Sequence, residues 1–235
     1  MNWKIFAVIV ITGICVHSEQ VNEPAAHIPW RPAPADVAAP AGLPEMGKWM
    51  LTSEKQPAQW LGQPYRGRDL REPINIIIID DIAKSSQEAR ERLLRNFKEV
   101  GFPVREHHST GYQGYIGGVL YPQIPEGTRV AFSDELAELD NNHGRVFGPH
   151  LFQGTWIFVA AFSREEVDPL DKVRHRYGSF NRARDALAHG LDFKTNYKIR
   201  AFVSLDNAMI GDSKTSTGDH DTIAVLLRTS SNGGR

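Results

Sequence analysis

The chain has 235 residues, with 27 Lys+Arg against 28 Asp+Glu and a formal charge of −1. No basic stripe or lysine run marks a nucleic-acid surface, and the balance is not acidic enough for a disordered solvating tail. The one cysteine, Cys15, lies in a segment expected to be removed, which leaves no disulfide, thiolate metal ligand or thiol nucleophile in the mature chain.

That segment comes first. Lys4 precedes an apolar run from Ile5 to Val16, shorter than the roughly 20 residues that span a bilayer as a helix. Val16-His17-Ser18 then offers a cleavage site after Ser18. Residues 1–18 therefore read as a signal peptide, and the protein is expected in a periplasm or outside the cell with no stable membrane span after cleavage. An uncleaved N-terminal anchor is the alternative. Residues 19–47, rich in Pro and Ala, have little to bury and read as a linker. Residues 48–72 carry Trp49, Trp60 and Tyr65 among turn residues, an irregular arm packed by its aromatics or, alternatively, a stacking platform.

The compact domain is expected over 73–229. Ile74 to Asp81, a β-branched run closed by two carboxylates, reads as a buried strand. Ser85 and Glu88 form a capping box for a helix carrying Ala89, Leu93, Leu94, Phe97 and Val100, stopped by Gly101. Asp80 and Asp81 end the strand where carboxylates serve either a site or the helix cap. The vicinal His107 and His108 read as solvated, and Tyr112, Tyr115 and Tyr121 sit in a Gly-rich hairpin or loop. Further strands are expected near 128–134, at 145–147 and at 155–163. A second helix follows, opened by Ser179 and repeating Phe180, Ala183, Leu187 and Leu191. Strands at 197–205 and 222–228 close the domain, and residues 230–235 read as a disordered tail. The order predicts an α+β fold: a mixed or antiparallel sheet of about five to six strands with two helices on one face, split-βαβ-like.

No P-loop, GxGxxG, GxSxG, HExxH or EF-hand loop is present. Three polar islands remain. His143-Gly144-Arg145 precedes the strand at 155–163; as i and i+2, its imidazole and guanidinium would share one strand face. His175 is followed by Arg184 and Asp185 on the second helix, and Asp219-His220-Asp221 precedes the last strand. The candidate polar site is His143, Arg145, His175, Arg184, Asp185 and Asp221, suited to an anion because arginine offers a planar fork and histidine exchanges protons near neutral pH. The bland alternative is a structural network in which Arg145 pairs with a carboxylate such as Asp185. His143, His175 and His220 are the candidates should a metal bind, but neither metal nor other cofactor is expected.

The order of these islands resembles the LssY-type C-terminal domain, a bacterial envelope-associated family. The likeness runs from PINIIIID and the helix ending VGF, through NHGRVF and His175 to Arg184-Asp185, and closes at the DHD turn. The chain departs from the family at Ser179 and Asn181, where acidic residues are expected, and at His220-Asp221. The resemblance implies an envelope-associated domain of unsettled activity. Two functions stand open: an accessory domain that binds an anionic small molecule or envelope component, or a phosphoester hydrolase using His and Arg.

Overall fold

In the computed structural model, residues 30–61, 64–168 and 171–230 are described; the expected signal peptide, residues 19–29 of the expected linker and residues 231–235 of the expected tail lie outside them. In chain order the strands and α-helices are β1 (Val37–Ala38), β2 (Met46–Gly47), β3 (Asp69–Leu70), β4 (Ile76–Asp80), α1 (Ser86–Glu99), β5 (Val104–Arg105), β6 (Gln113–Ile116), β7 (Val119–Ile124), β8 (Ala131–Ser133), β9 (Asn141–Phe152), β10 (Thr155–Asp168), β11 (Asp171–Ser179), α2 (Phe180–Lys194), β12 (Tyr197–Ser204), β13 (Thr215–Ser216) and β14 (Ile223–Thr229).

The expected α+β fold with five to six strands is not what forms. Twelve strands make one mixed sheet in the order β1-β2-β6-β7-β9-β10-β4-β14-β12, with β11, β5 and β8 joined to its side, and it curls into a half-barrel. Only β3 and β13 stand apart, as a parallel pair. The sequence pattern undercounts strands for two reasons. The two-residue strands are too short to show any period. The hairpin of late β10 and β11 is charged, so it lacks the apolar alternation that marks a half-buried strand. Cross-strand charges hold it instead, Arg176 bonding Asp168 and His175 bonding Glu165. The Pro/Ala-rich segment read as a linker enters the sheet as β1 and β2, with Met46 fully buried.

Two apolar layers flank the sheet. Ile76, Ile78, Phe158, Ala160 and Phe162 face α1 and α2 through Leu93, Phe97, Leu187 and Leu191. Ile77, Ile79, Val159, Ala161 and Phe147 point the other way, onto Met46, Met50, Ala58 and Tyr112 of the N-terminal arm and the β5–β6 region. The helices start where side chains cap them: Ser85 Oγ accepts from Glu88 N, and Ser179 Oγ from Arg182 N. Asp80, buried at the end of β4, accepts from the Ile82 and Ala83 amides and from Arg92 Nε, which makes it a cap for the turn into α1. No helix among the described residues is long and apolar enough to cross a membrane.

The spine is the hairpin β9–β10, registered from Thr155↔Phe152 to Glu165↔Asn141. Its flanking strands change along its length. β10 pairs β4 over Trp156–Ala160 and β11 from Arg164 onward. β9 pairs β7 at Val146–Phe147 and β8 at His143–Gly144. In the gap between β4 and β11, buried Asn75 continues the ladder with its side chain. Its Nδ2 donates to Phe162 O at 2.8 Å and its Oδ1 accepts from Phe162 N at 3.1 Å. The sheet thus forks, and the prongs carry the polar residues.

Candidate functional site

The pleat of β9 and β10 decides which side chains meet. Arg145 registers with Ala161 and His143 with Ser163, so the arginine and histidine continue the row of Phe147 and Val159 on the face away from the helices, as does Glu165. Gly144 lies on the opposite face, where a Cβ would fall 2.3 Å from Ala161 O and 2.4 Å from the Phe162 ring. Glycine at this position lets the two long strands close, so the His-Gly-Arg triplet is spaced by packing as much as by chemistry.

His143 and Arg145 are both buried, at 3 % and 2 % exposure. His143 Nδ1 meets Asn141 Oδ1 at 2.9 Å, and its Nε2 lies 3.2 Å from Glu165 Oε1, with Ser163 Oγ at 3.5 Å. The other oxygen of that carboxylate, Oε2, accepts from His175 Nδ1 at 2.6 Å. His108 stacks on His143 with centroids 4.9 Å apart, and its Nε2 is buried without a hydrogen-bond partner among the described residues. Arg145 lies over the Tyr112 ring and donates from Nη2 to Ser109 O and Oγ, while its Nε is buried and has no hydrogen-bond partner among the described residues. A cavity of about 210 Å³ opens onto Arg145, Glu165, His108 and His175, with Leu61 and Ala137 among its apolar lining.

Burial sets the charges. It holds His143 well below the ordinary imidazole value, and Arg145, His108 and His175 add to the effect. It lowers His108 to about 4, again with help from Arg145. Glu72, delivered by the arm, is pushed up to about 7, the pull of Arg145 offsetting only part of its desolvation. Burial therefore leaves the His143 and His108 imidazoles neutral beside one guanidinium, with Glu72 and Glu165 as the carboxyl groups of the centre.

Among the sequence-derived candidates, the fold unites His143, Arg145 and His175 around Glu165. Arg184, Asp185 and Asp221 form another cluster. Arg184 Nε donates to Asp185 at 2.8 Å, Nη1 to Asp221 at 2.6 Å and to Ile223 O at 2.9 Å, and Nη2 to Asp221 at 3.2 Å. This clasps α2 to the turn before β14. Neither aspartate pairs with Arg145. His220 is elsewhere too, with Nε2 on Asn207 Oδ1 at 2.7 Å. Asp219 accepts from Tyr177, Ser179 and the Phe180 amide at the start of α2.

Sequence reasoning missed His108, Glu165 and Glu72. His108 was read as solvated, and it is 5 % exposed whereas its neighbour His107 is exposed. His107 adopts φ 71°, uncommon for a side-chain-bearing residue, and this turn sends the two rings apart. Glu165 had a usable signal: it is two residues beyond Ser163, in phase with the buried row that runs through the apolar first part of β10. The only His/Cys/Asp/Glu group of metal-binding geometry among the described residues is His108, His143 and Glu165, whose ligand atoms lie within 4.8 Å of one another. No protein-family model, curated protein or solved structure matches this chain.

Proposed function

We propose that this is an exported, LssY-like domain that binds a small anionic ligand, a phosphate or carboxylate group, in the cavity at the sheet fork. Export is supported by the apolar run from Ile5 to Val16 behind Lys4, and the family by the order of islands from Pro73 to Arg228. The ligand class is supported above all by Arg145. A guanidinium has five N–H donors, and among the described residues only Nη2 of Arg145 is hydrogen-bonded, although the group is almost wholly buried beside a cavity. Donors left unbonded inside a protein cost stability unless a ligand takes them, and a planar fork suits an oxyanion.

The test is calorimetric titration of the chain with inorganic phosphate and with acetate. Arg145→Met should lose at least about tenfold in affinity, the size expected when a charge-assisted hydrogen bond is removed. Equal binding by wild type and Arg145→Met, or none by wild type, ends this reading.

A second reading, phosphoester hydrolysis, is favoured by one observation: Glu165 lies between two imidazoles in the same cavity as Arg145. Such a set can move a proton while the guanidinium stabilises developing negative charge. Turnover of p-nitrophenyl phosphate that disappears in Glu165→Gln would move the protein from binder to enzyme.

A further inference from the structure

The geometry points to a divalent transition-metal site made by His108, His143 and Glu165, with Asn141 and His175 as the groups that orient two of the ligands. Asn141 sets the tautomer of His143. Its Nδ2 donates to Leu139 O at 2.9 Å, which fixes the amide so that Oδ1 faces His143. The His143 proton must then be on Nδ1, donated to that oxygen. Nε2 is left with a bare lone pair, and the nearest group to it is a carboxylate oxygen, Glu165 Oε1, at 3.2 Å. Two acceptors at that distance repel unless something positive lies between them. Flipping the amide would only move the conflict to Leu139 O.

A shared proton or a cation between them would remove the conflict, and the His108 nitrogen beside the pair, unpartnered among the described residues, favours the cation. Two donors on a tetrahedral ion at about 2.0–2.1 Å are about 3.3 Å apart, close to the 3.2 Å between His143 Nε2 and Glu165 Oε1, while the whole trio lies within 4.8 Å and would draw together on an ion. The third donor is a ring nitrogen of His108, which is buried against the His143 ring with Nε2 unpartnered among the described residues. The surroundings are those of metal-binding histidines and carboxylates. His143 gives its second nitrogen to an amide oxygen, and Glu165 accepts from His175 Nδ1 at 2.6 Å on the oxygen that faces away from His143. Two imidazoles and one carboxylate suit zinc and its first-row neighbours better than calcium or magnesium. The cavity beside the trio leaves a coordination position accessible from outside. A bound dication would also offset Glu165, so that an anion drawn by Arg145 would enter a pocket of net positive charge.

The site can be tested with the metal alone, so its failure is separable from failure of the anion reading. The chain is stripped with chelator and titrated calorimetrically with ZnCl2 in phosphate-free buffer, and Co2+ absorption is recorded in parallel. One ion should bind per chain, and Co2+ should show the intense visible bands of a four- or five-coordinate site. His175→Gln should weaken binding about 10–100-fold as an orienting residue, and His108→Ala and Glu165→Gln should weaken it further. His220→Gln, which alters a buried histidine outside the trio, should bind as wild type. Absence of one-to-one binding in the wild-type chain overturns the proposal whatever the variants do, and so does undiminished binding by folded His108→Ala and Glu165→Gln proteins.

Discussion

Two buried arginines divide this molecule. Arg184 is 5 % exposed and Arg145 is 2 % exposed. Arg184 spends all three nitrogens, on Asp185, Asp221 and Ile223 O, whereas among the described residues Arg145 bonds only through Nη2 to Ser109. The burial is similar, but the first arginine fastens a helix to a turn and the second keeps donors free beside a cavity. A buried charge indicates function only after its partners are counted, because a satisfied one has already been put to structural use.

The largest effect should come from closing the fork itself. Gly144→Ala places a methyl group against Ala161 O and the Phe162 ring, and backbone oxygen cannot swing away as a side-chain end can. We expect a loss of about 3 kcal/mol or more in denaturant unfolding. A change under about 1 kcal/mol would mean that β9 and β10 can separate freely, and the site geometry would then be less fixed than described.

The contrast between the arginines comes next. Asp221→Ala leaves the buried Arg184 with one carboxylate fewer, and should cost about 2–3 kcal/mol; the usual penalty for breaking a buried pair is discounted because Asp221 is half exposed. Arg145→Met without ligand should cost less than that, or nothing, since it removes an under-bonded charge from the interior. Denaturant midpoints of the two variants measure the difference. A larger loss in Arg145→Met would make Arg145 the structural residue and reverse the assignment.

A further comparison lies in the pH profile, whose effect is spread over the whole acid-to-neutral range and not concentrated in one substitution. Burial lowers His220 to about 4: its Nε2–H is committed to Asn207, and a proton on Nδ1 would find no partner among the described residues. Its contribution is full above about 6.5 and is lost as pH falls toward 4, at about 1.4 kcal/mol per unit of pH, since the unfolded chain binds the proton that the folded one refuses. His108 acts in the same window. Glu72 acts in reverse: raised to about 7, its contribution is full below 4.5 and is lost as pH rises through 7. His220→Gln should flatten the acid limb and Glu72→Gln the neutral limb, as read from melting temperature against pH. Parallel profiles for all three proteins would refute this account.

Local patterns were legible where the signal is local. The buried run of β4 and the Ser85 and Ser179 caps could be read from neighbouring residues, because helix ends and apolar runs are determined over a few positions. The side-by-side placement of His143 and Arg145 followed from strand pleat alone. Strand count was not legible, because the hairpin of late β10 and β11 is held by charge and β1, β2 and β3 are two residues long. The separation of Arg184, Asp185 and Asp221 from His143 was also hidden, since sequence order does not reveal which polar islands share a face.

The amino-acid sequence by itself therefore determined the apolar N-terminal run, the helix starts, the buried central strand and the His-Gly-Arg row, all effects of propensity and periodicity within one element. Only the tertiary structure decided that His108 turns inward, that Glu72 arrives from the arm, and that His175 reaches His143 through Glu165. Those meetings join residues distant along the chain, and they depend on strand register and on where the sheet forks, which no single segment encodes.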